Sequence, residues 1–199
     1  MYPGKYAIQH PDRAAIIMAG SGEIITYAEL EANANKLAHL LRDHGLQRLD
    51  HFSVFMENNS RYQECSAAGE RSGLYYTCIN SYLKAEELAY ILNNSESKIL
   101  ITSADRLPVA LEALAEAPNI IKCLVVGGEG DSPRVINYEE AVAGYPSTPI
   151  AEECMGTSML YSSGTTGQPK GILRPLEEVG PGEASPLLEF LSGLWHYRE

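Results

Sequence analysis

The chain has 199 residues, 45% of them hydrophobic and 21% charged, a composition that excludes collagen-like and intrinsically disordered proteins. Its 15 basic and 26 acidic residues give a formal net charge of −11, which makes nucleic acids and anionic lipid surfaces unfavourable partners. No apolar run approaches the roughly 18 residues of a membrane-spanning helix, and the amino terminus lacks the apolar core of a signal peptide. We therefore expect a cytoplasmic protein without a transmembrane segment, whose four cysteines are reduced thiols in the core.

The first predicted elements are a β-hairpin and a long helix. Apolar runs at 14–19 and 23–27 are separated by Gly20-Ser21-Gly22, whose glycines permit the positive φ angles of a tight turn. Thr26 and Glu29 have the spacing of a capping box, in which each side chain accepts the other residue's backbone N–H. Apolar residues then recur at helical intervals, so the sequence predicts a helix that follows Thr26 and stops before Gly45.

Short apolar runs alternate with helical stretches over the next part of the chain. The runs begin about every 23 residues, which is the length that a strand and its crossover helix need. This rhythm predicts an α/β fold, with a mostly parallel sheet, helices on both faces in a three-layer αβα arrangement, and the hairpin in front. The expected strands are 52–56, 75–79, 99–101 and 121–126, and the expected helices are 60–71, 84–92 and 106–117.

The glycine-rich segment 127–133 has the first half of a dinucleotide-binding motif, but Pro133 stands where the last glycine belongs. We expect an ordinary surface turn there, followed by a short helix at 138–143. Near the end, Ser185 and Pro186 are typical of the start of another helix. Because the chain ends at Glu199, directly after this helix, we expect the apolar side of the helix to lack part of the surface on which it packs. Exposed apolar area favours self-association, so a homodimer or a larger species is expected. The apolar side consists of Leu187, Leu191, Leu194 and Trp195.

Residues 156–176 carry the clearest chemistry in the chain. They contain no Asp or Glu, while Lys170 and Arg174 are basic, so a cationic segment lies within an acidic protein. An apolar strand end, 159–161, leads into a loop of hydroxyl and glycine residues, 162–167. Glycines let backbone N–H groups turn towards anionic oxygens, hydroxyls add donors, and a lysine supplies a point charge. This combination is suited to binding a polyphosphate.

The order of residues separates this loop from a Walker loop. In a Walker loop the lysine directly follows a glycine and precedes Ser or Thr, whereas here Pro169 precedes Lys170 and Gly171 follows it. From Met159 to Lys170 the sequence instead resembles the phosphate loop of the adenylate-forming, or AMP-binding, enzymes. That family includes acyl-CoA synthetases, aryl-CoA ligases and the adenylation domains of peptide synthetases.

Other parts of the chain are consistent with this resemblance. Residues 11–15 and 26–30 resemble the opening of such ligases, and 73–76 occupy the place of the family's glycine-led strand. Residues 78–80 depart from the pattern, because they lack the proline that usually follows that strand. The continuation at 170–176 is most similar to bacterial long-chain fatty-acyl-CoA synthetases.

The resemblance implies a two-step reaction with ATP, Mg²⁺ and coenzyme A. A carboxylate, expected to be that of a fatty acid, attacks the α-phosphate of ATP to give an acyl-adenylate and pyrophosphate. The thiol of coenzyme A then displaces AMP to form a thioester. By the same resemblance, Lys170 balances the charge of the β- and γ-phosphates, and Ser162 is a candidate Mg²⁺ ligand. The residues implied to hold the phosphates are Ser162, Ser163, Gly164, Thr165, Thr166, Gly167 and Lys170.

The resemblance also implies that residues 1–199 form the amino-terminal part of a large AMP-binding domain, with its phosphate loop at 159–171 and without the carboxy-terminal remainder of the enzyme. No catalytic residue of the family is matched in this stretch, so the chain alone is expected to be inactive in adenylation. Two alternatives stay open at this point. One is a stand-alone nucleotide-binding or oligomerisation module, and the other is an adenylating ligase whose acceptor is a carrier-protein thiol.

Overall fold

The computed structural model describes residues 2–162, 168–183 and 193–195. Of the apolar side predicted for the terminal helix, Leu194 and Trp195 are described and are 56% and 60% exposed. Self-association through that side stays a prediction. Other predicted residues lie outside the described ones: Ser163, Gly164, Thr165, Thr166, Gly167, Ser185, Pro186, Leu187 and Leu191.

The amino-terminal segment contains one helix and the predicted hairpin. Helix α1 (Gly4–Gln9) is missing from the sequence analysis because it has no capping side chain: its N-cap residue is Pro3, which makes no side-chain hydrogen bond. Strand β1 (Ala14–Ile17) pairs antiparallel with β2 (Ile24–Thr26), which confirms the hairpin. Gly22 has a φ of 74° in the connecting turn, the left-handed conformation that glycine adopts most easily.

Helix α2 (Tyr27–Asp43) begins at the predicted capping box. The Thr26 hydroxyl accepts from the Glu29 N–H at 3.2 Å, and the Glu29 carboxylate accepts from the Thr26 N–H at 2.8 Å. The bonds that the Glu29 carboxylate accepts from the Thr26 N–H and hydroxyl lower the pKa of Glu29. Together the two residues satisfy backbone donors that a helix start leaves open. The helix ends before Gly45, which has a φ of 82°. Both ends of α2 are therefore where the sequence predicts them.

Within the described residues the main sheet has six strands, and its order is β7-β6-β5-β3-β4-β8 with all neighbouring pairs parallel. After β4 the chain crosses back over β3 to form β5, so the sheet grows first in one direction and then in the other. The strands are β3 (His51–Phe55), β4 (Tyr75–Cys78), β5 (Ser97–Ser103), β6 (Lys122–Val126), β7 (Val135–Asn137) and β8 (Thr157–Ser158).

Helices cover both faces of this sheet. The remaining ones are α3 (Tyr62–Arg71), α4 (Ala85–Asn94), α5 (Leu107–Ala115) and α6 (Tyr138–Ala143). On one face, α2, α3 and α6 pack around a buried cluster that includes Leu41 and Phe52. On the other, α4 and α5 pack around Leu88 and Leu114. The predicted three-layer αβα fold with a mostly parallel sheet is confirmed.

Strands β7 and β8 of the main sheet are missing from the sequence analysis, and β7 shows why. Three residues are too few to show an alternation of apolar and polar side chains, and a polar turn directly precedes them. The strand forms because its backbone pairs with β6 and because Asn137 Nδ2 donates to the Gly128 carbonyl at 2.8 Å. A side chain at Gly130 would meet the backbone of β7, so the turn packs directly on the strand.

A buried ion-pair network joins α2, α3 and the segment that leads into β8. The Arg71 side chain is fully buried, and its guanidinium binds both carboxylate oxygens of Glu31, at 2.8 and 2.6 Å. It also donates to the Asn35 side chain and lies 3.6 Å from the Glu153 carboxylate. The ring of Tyr2 stacks on the guanidinium at 5.2 Å. Through Glu153, the network holds the segment that leads into β8 against α2 and α3.

The cysteines only partly match the expectation of core thiols. All four are free, and Cys65 and Cys123 are buried. The expectation is wrong for Cys154, which is partly exposed, and for Cys78, which is exposed. Cys78 is the last residue of β4, and β8 pairs with only the first two residues of that strand, so it leaves this end uncovered. Within the described ranges, no helix is long and apolar enough to cross a bilayer.

Candidate functional site

A small antiparallel hairpin follows the parallel sheet. Strand β9 (Leu160–Ser162) pairs with β10 (Lys170–Ile172), and Ser162 lies directly opposite Lys170. The strand expected at 159–161 is confirmed, displaced by one residue. The predicted phosphate loop therefore connects two strands whose ends are held together by backbone pairing.

The two faces of this hairpin differ in character. Side chains alternate along a strand, so Tyr161 projects from one face and Ser162 from the other. Tyr161 packs against the apolar cluster of α4 and α5 and lies over Gly171, where a Cβ atom would be 3.2 Å from the tyrosine ring. Cross-strand partners share a face, so Ser162 and Lys170, both exposed, project together from the other side. The hairpin presents a hydroxyl and an ammonium group side by side to solvent.

Strand β8 sets the path of the chain into the hairpin. Gly156 donates its N–H to the Glu70 carbonyl at 2.7 Å, and a Cβ atom there would lie 2.5 Å from the Leu74 carbonyl oxygen. Met159 is buried and donates its N–H to the Tyr76 carbonyl at 2.9 Å. Because these contacts are made to backbone atoms, the edge of the sheet determines where β9 begins.

Two side chains of α4 contact the hairpin. Tyr90 Oη donates to the Pro169 carbonyl at 3.1 Å, and Tyr161 Oη donates to Asn94 Oδ1 at 2.7 Å. Burial raises the pKa of Tyr161 to about 12, so its hydroxyl remains a donor at neutral pH. The sequence analysis misses Tyr90 and Asn94, which lie 79 and 67 residues from their partners. The signal available was weak: two polar side chains four residues apart on a helix otherwise rich in apolar residues.

The hairpin carries exposed basic side chains in a stretch of sequence without carboxylates. Lys170 is exposed and makes no ion pair within the parts of the chain that the structure describes. The residues from 156 to 176 contain no carboxylate. Arg174 is also exposed, while its carbonyl accepts from Tyr75 Oη at 2.6 Å. The backbone after β10 is therefore fastened to the sheet, and the cationic side chains remain exposed to solvent.

The structure brings together the two predicted phosphate-binding residues that it describes, Ser162 and Lys170. The others, 163–167, lie outside the described residues. Among residues 2–162, 168–183 and 193–195, no three His, Cys, Asp or Glu side chains converge as a metal site. Ser162 offers one neutral hydroxyl, whereas most protein Mg²⁺ sites include one or two carboxylates together with water and substrate phosphates. These residues alone do not form a magnesium site, and a role of Ser162 toward Mg²⁺ stays a prediction.

A buried carboxyl group, also missed by the sequence analysis, lies on the opposite side of the sheet. Glu64 is fully buried, and burial raises its pKa even though its hydrogen-bond donors oppose that effect. Since both carboxylate oxygens are occupied within the fold, this group holds α2, α3 and α6 together. The donors are Asn33 Nδ2 at 2.8 Å, Arg61 Nη1 at 2.8 Å and Tyr138 Oη at 3.2 Å.

The chain is similar in sequence to acid–CoA ligases. Over 175 residues the chain is 30% identical to a medium-chain-fatty-acid–CoA ligase of Ectopseudomonas oleovorans, covering 82% of this chain and 32% of that protein. Over 196 residues it is 30% identical to a 3-oxocholest-4-en-26-oate–CoA ligase of Rhodococcus rhodochrous, covering 93% of this chain and 34% of that protein. The chain spans about a third of the length of these relatives.

A solved structure supports the same fold. The anthranilate CoA ligase AuaEII, crystallised in complex with anthranoyl-AMP, matches with a TM-score of 0.73 at 24% identity, covering 86% of this chain and 34% of that one. Residues 5–179, which are most of the chain, match the family model described as AMP-binding enzyme. With its parallel sheet, its glycine- and hydroxyl-rich loop and its exposed lysine, this chain belongs to the family of AMP-binding enzymes.

Proposed function

We propose that this chain binds the phosphates of ATP as part of an acid–CoA ligase that works through an acyl-adenylate. The observation that carries the proposal is the cross-strand pair of Ser162 and Lys170 at the base of the loop. Both side chains are exposed on one face of the hairpin, and Lys170 has no ion-pair partner in the described ranges. A triphosphate has several anionic oxygens close together, so one hydroxyl and one ammonium group can contact it at the same time.

A fatty acid is the substrate we propose, with coenzyme A as the acceptor of the acyl group. Two features support this choice: a relative named as a medium-chain-fatty-acid–CoA ligase, and the similarity of residues 170–176 to fatty-acyl-CoA synthetases. We also propose a cytoplasmic location. The four free cysteines support it, because reduced thiols are typical of that compartment.

In the proposed reaction, a carboxylate oxygen of the acid bonds to the α-phosphorus of ATP while the bond to the bridging oxygen breaks and pyrophosphate leaves. Lys170 stabilises the negative charge that builds up on the leaving pyrophosphate, because an ammonium group already in place needs no rearrangement during the step. Ser162 donates a hydrogen bond to a phosphate oxygen. Residues 1–199 thus supply the amino-terminal part of the AMP-binding domain, with the phosphate loop at 159–171.

Binding of tripolyphosphate and of ATP with Mg²⁺ to the 199-residue chain, measured by calorimetry, tests the proposal. Lys170→Ala should weaken binding by about tenfold or more, because a hydrogen bond to a charged group is lost. Lys84→Ala is the matched control: Lys84 is also an exposed lysine, but it lies at the start of α4. Equal affinity of Lys170→Ala and the unchanged chain would contradict the proposal.

A second measurement addresses catalysis by this chain. We expect no exchange of labelled pyrophosphate into ATP when the 199-residue chain is incubated with fatty acids, since no catalytic residue of the family is matched in it. Exchange above the level of a protein-free control would show that residues 1–199 suffice for adenylation, and the assignment of catalytic groups elsewhere would be wrong.

A further inference from the structure

We propose that Tyr90 and Asn94 are positioning residues for the phosphate loop, holding from one side of α4 the two chain segments that flank it. This inference rests on the proposed function of the loop. It follows from the two hydrogen bonds that join α4 to the hairpin, Tyr90 to the Pro169 carbonyl and Tyr161 to Asn94.

The two anchored residues, Tyr161 and Pro169, are the immediate chain neighbours of the proposed phosphate-binding pair. Tyr161 directly precedes Ser162, and Pro169 directly precedes Lys170. A shift of either anchored residue therefore moves one member of the Ser162–Lys170 pair relative to the other. Since the proposed function has both groups contact one triphosphate at the same time, their separation should affect affinity.

The geometry of α4 suits this task. Tyr90 and Asn94 are four residues apart, so they lie on the same side of the helix, separated by about 6 Å along its axis. The two strands of a hairpin are about 4.8 Å apart, which is close to that separation. One helix can therefore contact both sides of the hairpin, Tyr90 at Pro169 and Asn94 at Tyr161. The face of the hairpin that carries Ser162 and Lys170 is left exposed.

The helix itself is firmly held, which makes it a suitable support. Leu88 and Leu92 of α4 are buried in the cluster shared with α5 and the sheet. Just after the helix, the Ser95 hydroxyl contacts Ser97 Oγ at 2.8 Å, and Ser97 contacts Ser53 Oγ at 2.7 Å. This chain of buried hydroxyls ties the end of α4 to the two central strands, β5 and β3.

The first test measures the anchoring directly, by amide hydrogen exchange of peptides that cover residues 160–172 in the 199-residue chain. Tyr90→Phe keeps the ring and removes the hydroxyl, and Asn94→Ala removes the acceptor. Each should raise exchange in this segment by about three- to tenfold, as expected for the loss of one hydrogen bond. Asn94→Asp, which keeps an acceptor oxygen, should exchange like the unchanged chain.

A matched control is available on the other side of the sheet. Tyr145 Oη donates to Asp43 Oδ2 at 2.7 Å, so Tyr145→Phe also removes one tyrosine hydroxyl from a hydrogen bond. It should leave exchange at 160–172 unchanged. If Tyr90→Phe combined with Asn94→Ala also leaves it unchanged, the anchoring is wrong.

The second test links the anchors to ligand binding through titration with tripolyphosphate. Tyr90→Phe and Asn94→Ala should each weaken affinity by about three- to tenfold with an unchanged thermal unfolding midpoint, and Asn94→Asp should restore it. If Lys170→Ala weakens binding but the α4 variants do not, the two residues are merely structural and this inference alone fails. If the unchanged chain does not bind tripolyphosphate, the proposed function fails and the inference falls with it.

Discussion

Arg71 and Lys170 carry the same charge in opposite surroundings. Arg71 is fully buried, with both oxygens of one carboxylate bound to its guanidinium and a second carboxylate 3.6 Å away. Lys170 is exposed on the hairpin and has no ion-pair partner in the described parts of the chain. One cation therefore joins elements of the fold, whereas the other remains available to a ligand.

The physical reason lies in the cost of removing a charge from water. A buried ion is unfavourable by several kcal/mol unless it is paired and hydrogen-bonded. Arg71 must therefore have its partners in the native state. An exposed lysine needs no partner and gains little from one, because water already solvates it. Substitution of each cation should therefore have opposite consequences for stability and for ligand binding.

Arg71→Ala should have the largest effect on stability. It removes the guanidinium and leaves the carboxylates of Glu31 and Glu153 facing a site without a cation. We expect the free energy of unfolding, measured by urea denaturation, to fall by about 3–5 kcal/mol. A loss of less than about 1 kcal/mol would mean that the network contributes no more to stability than an exposed ion pair does.

Gly156→Ala tests the segment that links the two regions. The added methyl group meets the Gly69 and Leu74 carbonyl oxygens, so either the methyl group or the sheet edge must move. We expect a loss of about 1–3 kcal/mol in the same denaturation experiment. Gly144→Ala is the control, because a Cβ atom at Gly144 meets nothing within 4 Å and its φ is −83°. That variant should be unchanged or slightly more stable, and equal losses for both variants would count against the crowding argument.

His51→Phe should reduce the dependence of stability on pH. Burial lowers the pKa of His51, whose ring stacks on Tyr75 at 4.8 Å. A lowered folded-state pKa means that the native state binds fewer protons than the unfolded chain. The contribution of neutral His51 to the free energy of unfolding is complete above about pH 6.5, and it is lost as the pH falls through the folded-state pKa. Phenylalanine keeps the stacking and cannot be protonated.

Thermal unfolding midpoints at pH 7.5 and 5.0 measure this effect. The difference between the two midpoints should be smaller in His51→Phe than in the unchanged chain. It should not vanish, because burial also lowers the pKa of His44. An exposed-site control, His10→Gln, should retain the full difference. Identical pH profiles for His51→Phe and the unchanged chain would show that His51 titrates as it does when unfolded.

Lys170→Ala should have the smallest effect on stability. Removal of an exposed side chain without an ion pair should change the free energy of unfolding by no more than about 0.5 kcal/mol. The same substitution is expected to weaken polyphosphate binding about tenfold. A loss of stability comparable to that of Arg71→Ala would mean that Lys170 has a structural partner, and the contrast between the two cations would disappear.

Features set by short stretches of sequence were predicted well. The capping box of Thr26 and Glu29 places the start of α2, and the glycines at 20–22 place the first hairpin, because the interactions involved join residues a few positions apart. The three-layer fold follows from the alternation of strand and helix lengths. The strand expected before the loop between Ser162 and Lys170 is present as one arm of a hairpin, while phosphate binding by that loop stays a prediction.

Contacts between distant residues could not be predicted in this way. Arg71 gave no sign that it pairs with Glu31, 40 residues earlier, since charged residues are common on helices and are normally exposed. β7 and β8 are too short to carry a periodic pattern. Nothing in the sequence relates Asn94 to Tyr161, which lies 67 residues later. Their hydrogen bond forms because β8 leads the chain past α4.

Local sequence specified the helices from α2 onward, the strand rhythm and a cationic segment at 156–176, because dihedral preferences, capping and side-chain periodicity act within a few residues. The tertiary structure alone decided the order of the strands, the burial of Arg71 and the placement of Ser162 opposite Lys170 on a face turned away from α4. Those features depend on which surfaces lose water together, and that is settled only when segments far apart in the chain pack against one another.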